Sequence, residues 1–192
     1  MAIEHFPGYQ ARDEHVVDYQ FYELPPTGLK FRGPAPRLQP GDYVSCLGAA
    51  QTLGCLCAGP FPQLLADKIG VATLNLGYGG AGPRFFNRHP AVLDLVNRGK
   101  FAVVQIMSGR SEDCSKFSSL GLEQLVRRRD SRRFSADEAW RDIRGVGYAE
   151  HSRTNALPVM VGSRWTGFRA LRPDGLTLVY DDITASADYG GE

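Results

Sequence analysis

Three short segments hold the residues whose types and spacing could do chemistry. They are Gly48-Ala49-Ala50-Gln51-Thr52-Leu53-Gly54, Gly77-Tyr78-Gly79-Gly80-Ala81-Gly82-Pro83 and Ser108-Gly109-Arg110-Ser111. All three are rich in glycine and small polar residues, which let backbone N–H groups come close to a substrate or an anion. Gln51 and Thr52, the backbone around Gly77, Gly79 and Gly80, and the Arg110 guanidinium could together hold a sugar hydroxyl, a carboxylate, a phosphate or a sulfate. The expected ligand-binding residues are therefore Gly48, Ala50, Gln51, Thr52, Gly77, Gly79, Gly80, Ser108 and Arg110. Ordinary turn chemistry would account for any one of the loops taken singly; their common placement is what gives the set meaning.

That placement comes from the elements around them. Tyr43-Val44-Ser45-Cys46-Leu47 is an apolar run ending in Gly48 and reads as a buried strand entering a tight turn. Val71–Leu76 reads as a second strand and Phe101–Met107 as the third and clearest. Between them, Pro62–Ile69 has Leu65 and Ile69 four apart with Gly70 just behind, and His89–Arg98 has Val92, Leu95 and Val96 on one face with Gly99 behind. Proline at the front and glycine at the back are the punctuation of helices. Strand, helix, strand, helix, strand at a spacing of about 28 to 30 residues is the rhythm of βαβ crossovers, which require a parallel sheet. The apolar runs are continuous rather than alternating, which predicts helices on both faces of the sheet. The fold class is α/β, with ligands expected at the carboxyl ends of the strands, where the three loops open.

Outside this frame the signals are weaker. Residues 1–40 form an expected N-terminal arm, in which Pro25-Pro26, Gly33-Pro34 and Pro36 should break any regular element while Tyr19, Phe21, Tyr22 and Phe31 dock on the body. Residues 41–192 are expected to be a single α/β domain with a short, less regular C-terminal part. Leu120–Arg133 is predicted helical, and Ser135-Ala136-Asp137-Glu138 is a capping box for a short helix to about Arg144. Ala156–Val161 is a short apolar run interrupted by Pro158, Leu176–Tyr180 is the best further strand, and the tail from Asp181 is expected to be loose.

Composition narrows the function classes. Hydrophobic residues at 43% and charged residues at 22% exclude a wholly disordered chain or a collagen-like repeat. A net charge of +1 gives no general pull towards nucleic acid or an anionic membrane. Five Arg lie within Arg127–Arg133, but no aromatic residue interleaves, and the cluster reads as a solvated helix end. The start of the chain lacks a basic, apolar leader and no apolar run approaches the roughly 18 residues of a membrane span, so the expected location is the cytoplasm. The four cysteines, Cys46, Cys55, Cys57 and Cys114, lack the second half of a zinc motif and are expected to be reduced thiols packed as small hydrophobes. Trp140 and Trp165 read as packing residues and His151 as a surface residue. Neither nucleotide signature is present, and no cofactor or metal is expected.

The three loops resemble the blocks of the SGNH hydrolase superfamily of flavodoxin-like esterases: Gly-Asp-Ser-x-Thr-x-Gly after the first strand, a Gly after the second, and Gly-x-Asn-Asp after the third. Phe31-Arg32-Gly33-Pro34, Gly48-x-x-Gln51-Thr52-x-Gly54, Asn75-Leu76-Gly77 and Val104-Gln105-Ile106-Met107-Ser108 further resemble a bacterial family classed as a domain of unknown function, over about residues 31 to 135. The resemblance implies a flavodoxin-like three-layer sandwich with strand order 2-1-3, the first strand central. It also implies what is missing. Ala50 stands where the hydrolases have their nucleophilic Ser, Arg110 or a neighbour where they have Asn, and no C-terminal Asp-x-x-His follows the last histidine, His151. A methyl group cannot attack a carbonyl, so esterase activity is not expected unless Ser45, Ser108 or Ser111 has taken over. The implied function is that of a degenerate hydrolase-like protein binding a small polar or carbohydrate ligand, in bacterial surface-polysaccharide metabolism. The alternatives are an acyl or sulfuryl transferase using the same crevice, and a non-catalytic interaction module that covers apolar surface with a protein partner or a second copy.

Overall fold

The structure is a computed structural model. It describes residues 15–108, 111–114, 116–136, 138–139, 155–161, 164–171 and 177–179, with the backbone alone for Ser108 and the last three segments. These residues fall into two compact units. One comprises the described residues up to Gly79 with Asp94–Gln105; the other comprises Gly80–Leu93 with the described residues from Ile106.

The first unit is built on a parallel sheet. Strand β3 (Tyr43–Gly48) lies between β4 (Ala72–Gly77) and β5 (Phe101–Val104), parallel to both, in the order β4-β3-β5. This is the order that the resemblance implied, with the first of the three apolar runs central. Every residue of β3 is buried, as a continuous apolar run between two neighbours should be. β5 is less enclosed, and Phe101 is about half exposed. The helices are α1 (Ala50–Leu53), α2 (Phe61–Ile69) and α4 (Pro90–Arg98), the last crossing the division between the units. Gly70 ends α2 in the left-handed region, where the absence of a Cβ lets its N–H reach the Ala66 carbonyl. The Tyr43 hydroxyl donates to the Leu95 carbonyl and so ties α4 to the buried start of β3.

Two expectations for this unit are corrected. The arm is not devoid of regular structure: β1 (Tyr22–Leu24) and β2 (Leu29–Phe31) form an antiparallel hairpin, and Pro25-Pro26 lies in its connection rather than in a strand. Leu24, Leu29 and Phe31 turn inward while Glu23 and Lys30 turn out, an alternation that outweighs the nearby prolines. The run Phe101–Met107 is not one strand. The parallel ladder ends at Val104, and Met107–Ser108 forms a separate short strand, β6, in the other unit. The run divides after Gln105, whose backbone N–H still donates to the Leu47 carbonyl of β3 at 2.9 Å.

The second unit contains α3 (Pro83–Asn87) and two antiparallel sheets. β7 (Phe117–Ser119), β8 (Gln124–Arg127) and β9 (Arg133–Ser135) form one, and Phe117, Leu125, Ala136 and Ala139 pack as its core with Cys114 and Phe134 against them. The expected helix over Leu120–Arg133 is therefore a strand pair. On a helix the Arg side chains would crowd one another, whereas here Arg127 bonds Asp130 across the turn and lies over the Phe134 ring. The capping box at Ser135 forms as expected: Glu138 N–H donates to Ser135 Oγ, and Glu138 Oε2 accepts from Ser135 N–H.

The other sheet runs β12-β11-β10-β6, with β10 (Asn155–Val161), β11 (Arg164–Leu171) and β12 (Thr177–Val179). β12 matches the strand expected near Leu178, and β11 answers no expectation. Pro158 sits inside β10, opposite Phe168, and past the point where β6 pairs with Asn155 and Ala156. A strand with one neighbour at that position tolerates a residue without an N–H. Trp165 lies in β11, while Trp140, His151, the helix beyond Ala139 and the tail from Asp181 lie outside the described residues.

Candidate functional site

At the carboxyl end of β3 the chain turns at Gly48 into the single turn α1, and Gln105 at the end of β5 reaches across to it. Gln105 Oε1 accepts from the Ala49 N–H at 3.0 Å and from Thr52 Oγ1 at 2.9 Å. The Ala49 N–H can only donate, which fixes the orientation of the Gln105 amide. Its Nε2 then donates to Gln51 Oε1 at 2.8 Å, so the Gln51 oxygen is taken. What remains at Gln51, an exposed residue, is the Nε2 with both hydrogens lacking an acceptor among the described residues. Sequence reasoning placed Gln105 in a motif and gave it no role; the signal was a polar residue interrupting the clearest apolar run.

The glycines at this edge serve close packing. A Cβ on Gly48 would meet Thr52 Oγ1 and Gln105 Oε1, and one on Gly77 would meet the Leu53 backbone. Glycine at both positions lets α1 sit directly on the ends of β3 and β4. Tyr78 N–H donates to the Gly48 carbonyl at 2.9 Å, locking the second loop to the first, and the buried Tyr78 ring stands edge-on to Phe31. Burial pushes the Tyr78 hydroxyl up to about 12, so it stays protonated. Gly79 is buried in the following turn. Gly48, Ala50, Gln51, Thr52, Gly77 and Gly79 thus lie at the carboxyl end of the parallel sheet.

Gly80 and Ser108 belong to the second unit, and Arg110 lies outside the described residues. The helix N-terminus expected to attract an anion is modest: α1 is one turn and carries little dipole, and its leading N–H, at Ala49, is already capped by Gln105. The alternative nucleophiles are also placed. Ser45 is completely buried in β3, and Ser111 is buried with its hydroxyl on the Gly80 carbonyl at 3.2 Å. Ser108 lies in β6.

The second unit holds a polar cluster that sequence reasoning missed. Glu112 is fully buried; its Oε1 accepts from the Arg84 N–H at 2.9 Å, and its Oε2 has no partner among the described residues. Desolvation raises the carboxyl to about 8, opposed by the Arg84 N–H and charge and reinforced by Asp113. Asp113 accepts from Arg84 Nη2 at 2.9 Å and Arg128 Nη2 at 3.3 Å. Glu112 and Asp113 follow one another, and sequence alone does not reveal that one is fully buried on a backbone N–H while the other is paired with two guanidinium groups.

Comparison with family models gives one result: residues 8–119 match DUF6473, a domain of unknown function. The chain belongs to this family. The match bears out the expected kinship with a family of unknown function and, unlike the resemblance read from the motifs, takes in the arm from residue 8. No curated protein and no solved structure matches the chain. The family region contains β1 to β7, and with them the whole parallel sheet and the Gln105 network. Among the described residues no group of three or more His, Cys, Asp and Glu is placed to hold a metal ion, and no helix is long and apolar enough to cross a membrane.

Proposed function

We propose that this chain is a degenerate, SGNH-hydrolase-like protein of flavodoxin-like three-layer architecture that binds a small polar or carbohydrate ligand at the carboxyl end of its parallel sheet, in bacterial surface-polysaccharide metabolism. The observation that carries the reading is the Gln51 amide, whose oxygen is bound by Gln105 and whose two N–H donors meet no acceptor among the described residues. An uncharged pair of donors on a braced side chain suits a hydroxyl or carbonyl oxygen better than a phosphate. Ala50, beside it, contributes a methyl group where a hydrolase needs its nucleophile, so the site retains ligands without cleaving them.

Thermal-shift screening against monosaccharides and short oligosaccharides tests this, because a ligand of the native state raises the melting temperature by mass action. The expected result is a shift that Gln51→Ala abolishes without lowering the unliganded melting temperature. No short-chain aryl ester should be turned over, and a serine-reactive probe should leave Ser45 and Ser111 unlabelled. A sugar shift unchanged by Gln51→Ala, or stoichiometric serine labelling, would overturn the reading. A second reading, an interaction module, is favoured by the outer face of α2, where Phe61, Leu64 and Ile69 are exposed. Light scattering over a concentration series, with Leu64→Glu as the control, tests it.

A further inference from the structure

Cys55 and Cys57 do not behave as the small core hydrophobes expected of them. Cys46 is buried, but Cys57 is exposed and Cys55 partly exposed, and none of the four cysteines is in a disulfide. Leu56 between them has φ +60, a left-handed conformation that a leucine adopts at a cost, and its side chain is 63% exposed, so packing does not compensate. The conformation is imposed from outside the tripeptide. Arg32 Nη1 donates to the Leu53 and Gly54 carbonyls at 3.2 and 2.6 Å, and Nη2 donates to the Cys57 and Ala58 carbonyls at 2.7 and 2.8 Å. The Leu56 N–H donates to the Tyr19 hydroxyl at 3.0 Å, and Arg32 in turn lies 4.9 Å over the Tyr19 ring. A buried guanidinium with carbonyl partners before and after Leu56 therefore holds the bend.

We propose that Cys55 and Cys57 form a redox-active dithiol that closes to an intraloop disulfide, with exposed Cys57 as the first thiol to react and Cys55 as the resolving thiol. The Cys57 N–H donates to the Gly54 carbonyl at 3.1 Å, so Cys55 and Leu56 form the corners of a turn, which brings the two cysteines nearer than in an extended Cys-x-Cys, as a bridge between them requires. The co-reactant is a low-molecular-weight disulfide. The Cys57 thiolate attacks one of its sulfurs, its S–S bond breaks, and one thiol leaves carrying the proton that Cys57 gave up. The Cys55 thiolate then attacks the Cys57 sulfur of the mixed disulfide and expels the second thiol. Two cysteine thiols are oxidised by two electrons, and one small disulfide is reduced to two thiols. This site is independent of the ligand proposed at Gln51.

The test equilibrates the full chain in glutathione buffers of rising oxidised fraction, alkylates what remains under unfolding conditions, and assigns each cysteine by fragment mass spectrometry. The expected product is a Cys55-Leu56-Cys57 segment lighter by two hydrogens and unalkylated, while Cys46 is alkylated. In Cys55→Ser, glutathione should be trapped on Cys57; in Cys57→Ser, capture at Cys55 should be slower by about tenfold or more, following its lower exposure. Alkylation of both cysteines at every buffer ratio would overturn the dithiol. Equal capture in the two variants would overturn the assigned order, and formation only of bridges between separate chains would overturn the intraloop product.

Discussion

Gln105 shows how one side chain can organise a site it does not itself present. Its carbonyl oxygen serves the Ala49 N–H and the Thr52 hydroxyl, and its amino group donates to the Gln51 oxygen. Gln105→Ala should lower stability by about 1–3 kcal/mol, since the Ala49 N–H is left without an acceptor, although the Thr52 hydroxyl retains the Leu47 carbonyl at 3.4 Å. Gln105→Glu should cost less, because a carboxylate oxygen still accepts both bonds. Urea midpoints of the three proteins check the order. Glu112 presents the opposite case, a carboxyl that burial keeps protonated. Its value rises from 4.5 to about 8 on folding, so the native state holds a proton that the unfolded chain releases between those values. Stability from this group is complete below pH 4.5 and is lost as pH rises towards about 8. Glu112→Gln should remove that slope, and the stability of the wild type relative to the variant should fall steadily between pH 5 and 8 in denaturant titrations.

Among elements, the turn after β7 and the start of α3 are fitted to one another through Gly121. Its φ is +84, its carbonyl accepts from the Gly82 N–H at 2.8 Å, and a Cβ would lie 2.6 Å from Phe85 Cα. Backbone strain and a clash with backbone act together, so Gly121→Ala should destabilise by about 2 kcal/mol or more, read from the thermal midpoint. The β8–β9 hairpin depends on a different device. Arg127 Nη2 donates to Asp130 Oδ2 at 2.6 Å, and this bond, more than any other cause, holds the Asp130 carboxyl down at about 2. The pair is therefore present at neutral pH and is lost only as acid approaches that value, well after ordinary surface carboxylates have protonated.

For the molecule as a whole, charge decides how it meets polyanions. The net charge is +1, and the basic cluster is partly spent within the fold: Arg127 is bound to Asp130, Arg128 to Asp113, and Arg132 lies 5.6 Å from the centre of the Phe134 ring. A labelled DNA duplex should show no anisotropy change with micromolar protein at about 150 mM salt, because a nearly neutral chain with three of its five clustered Arg engaged in the fold displaces few counterions of the backbone. Sequence by itself determined a parallel sheet built on three apolar runs, helices α2 and α4 and the capping box at Ser135. Each of these is written in neighbouring residues, as a continuous apolar run, a proline and glycine at helix ends, or a Ser and Glu three apart. Only the tertiary structure decided that the Phe101–Met107 run divides at Gln105, that Leu120–Arg133 pairs as strands, and that β10 finds β11. Those outcomes depend on partners distant in the chain, and a local pattern carries no record of which distant edge or amide will supply the missing hydrogen bonds.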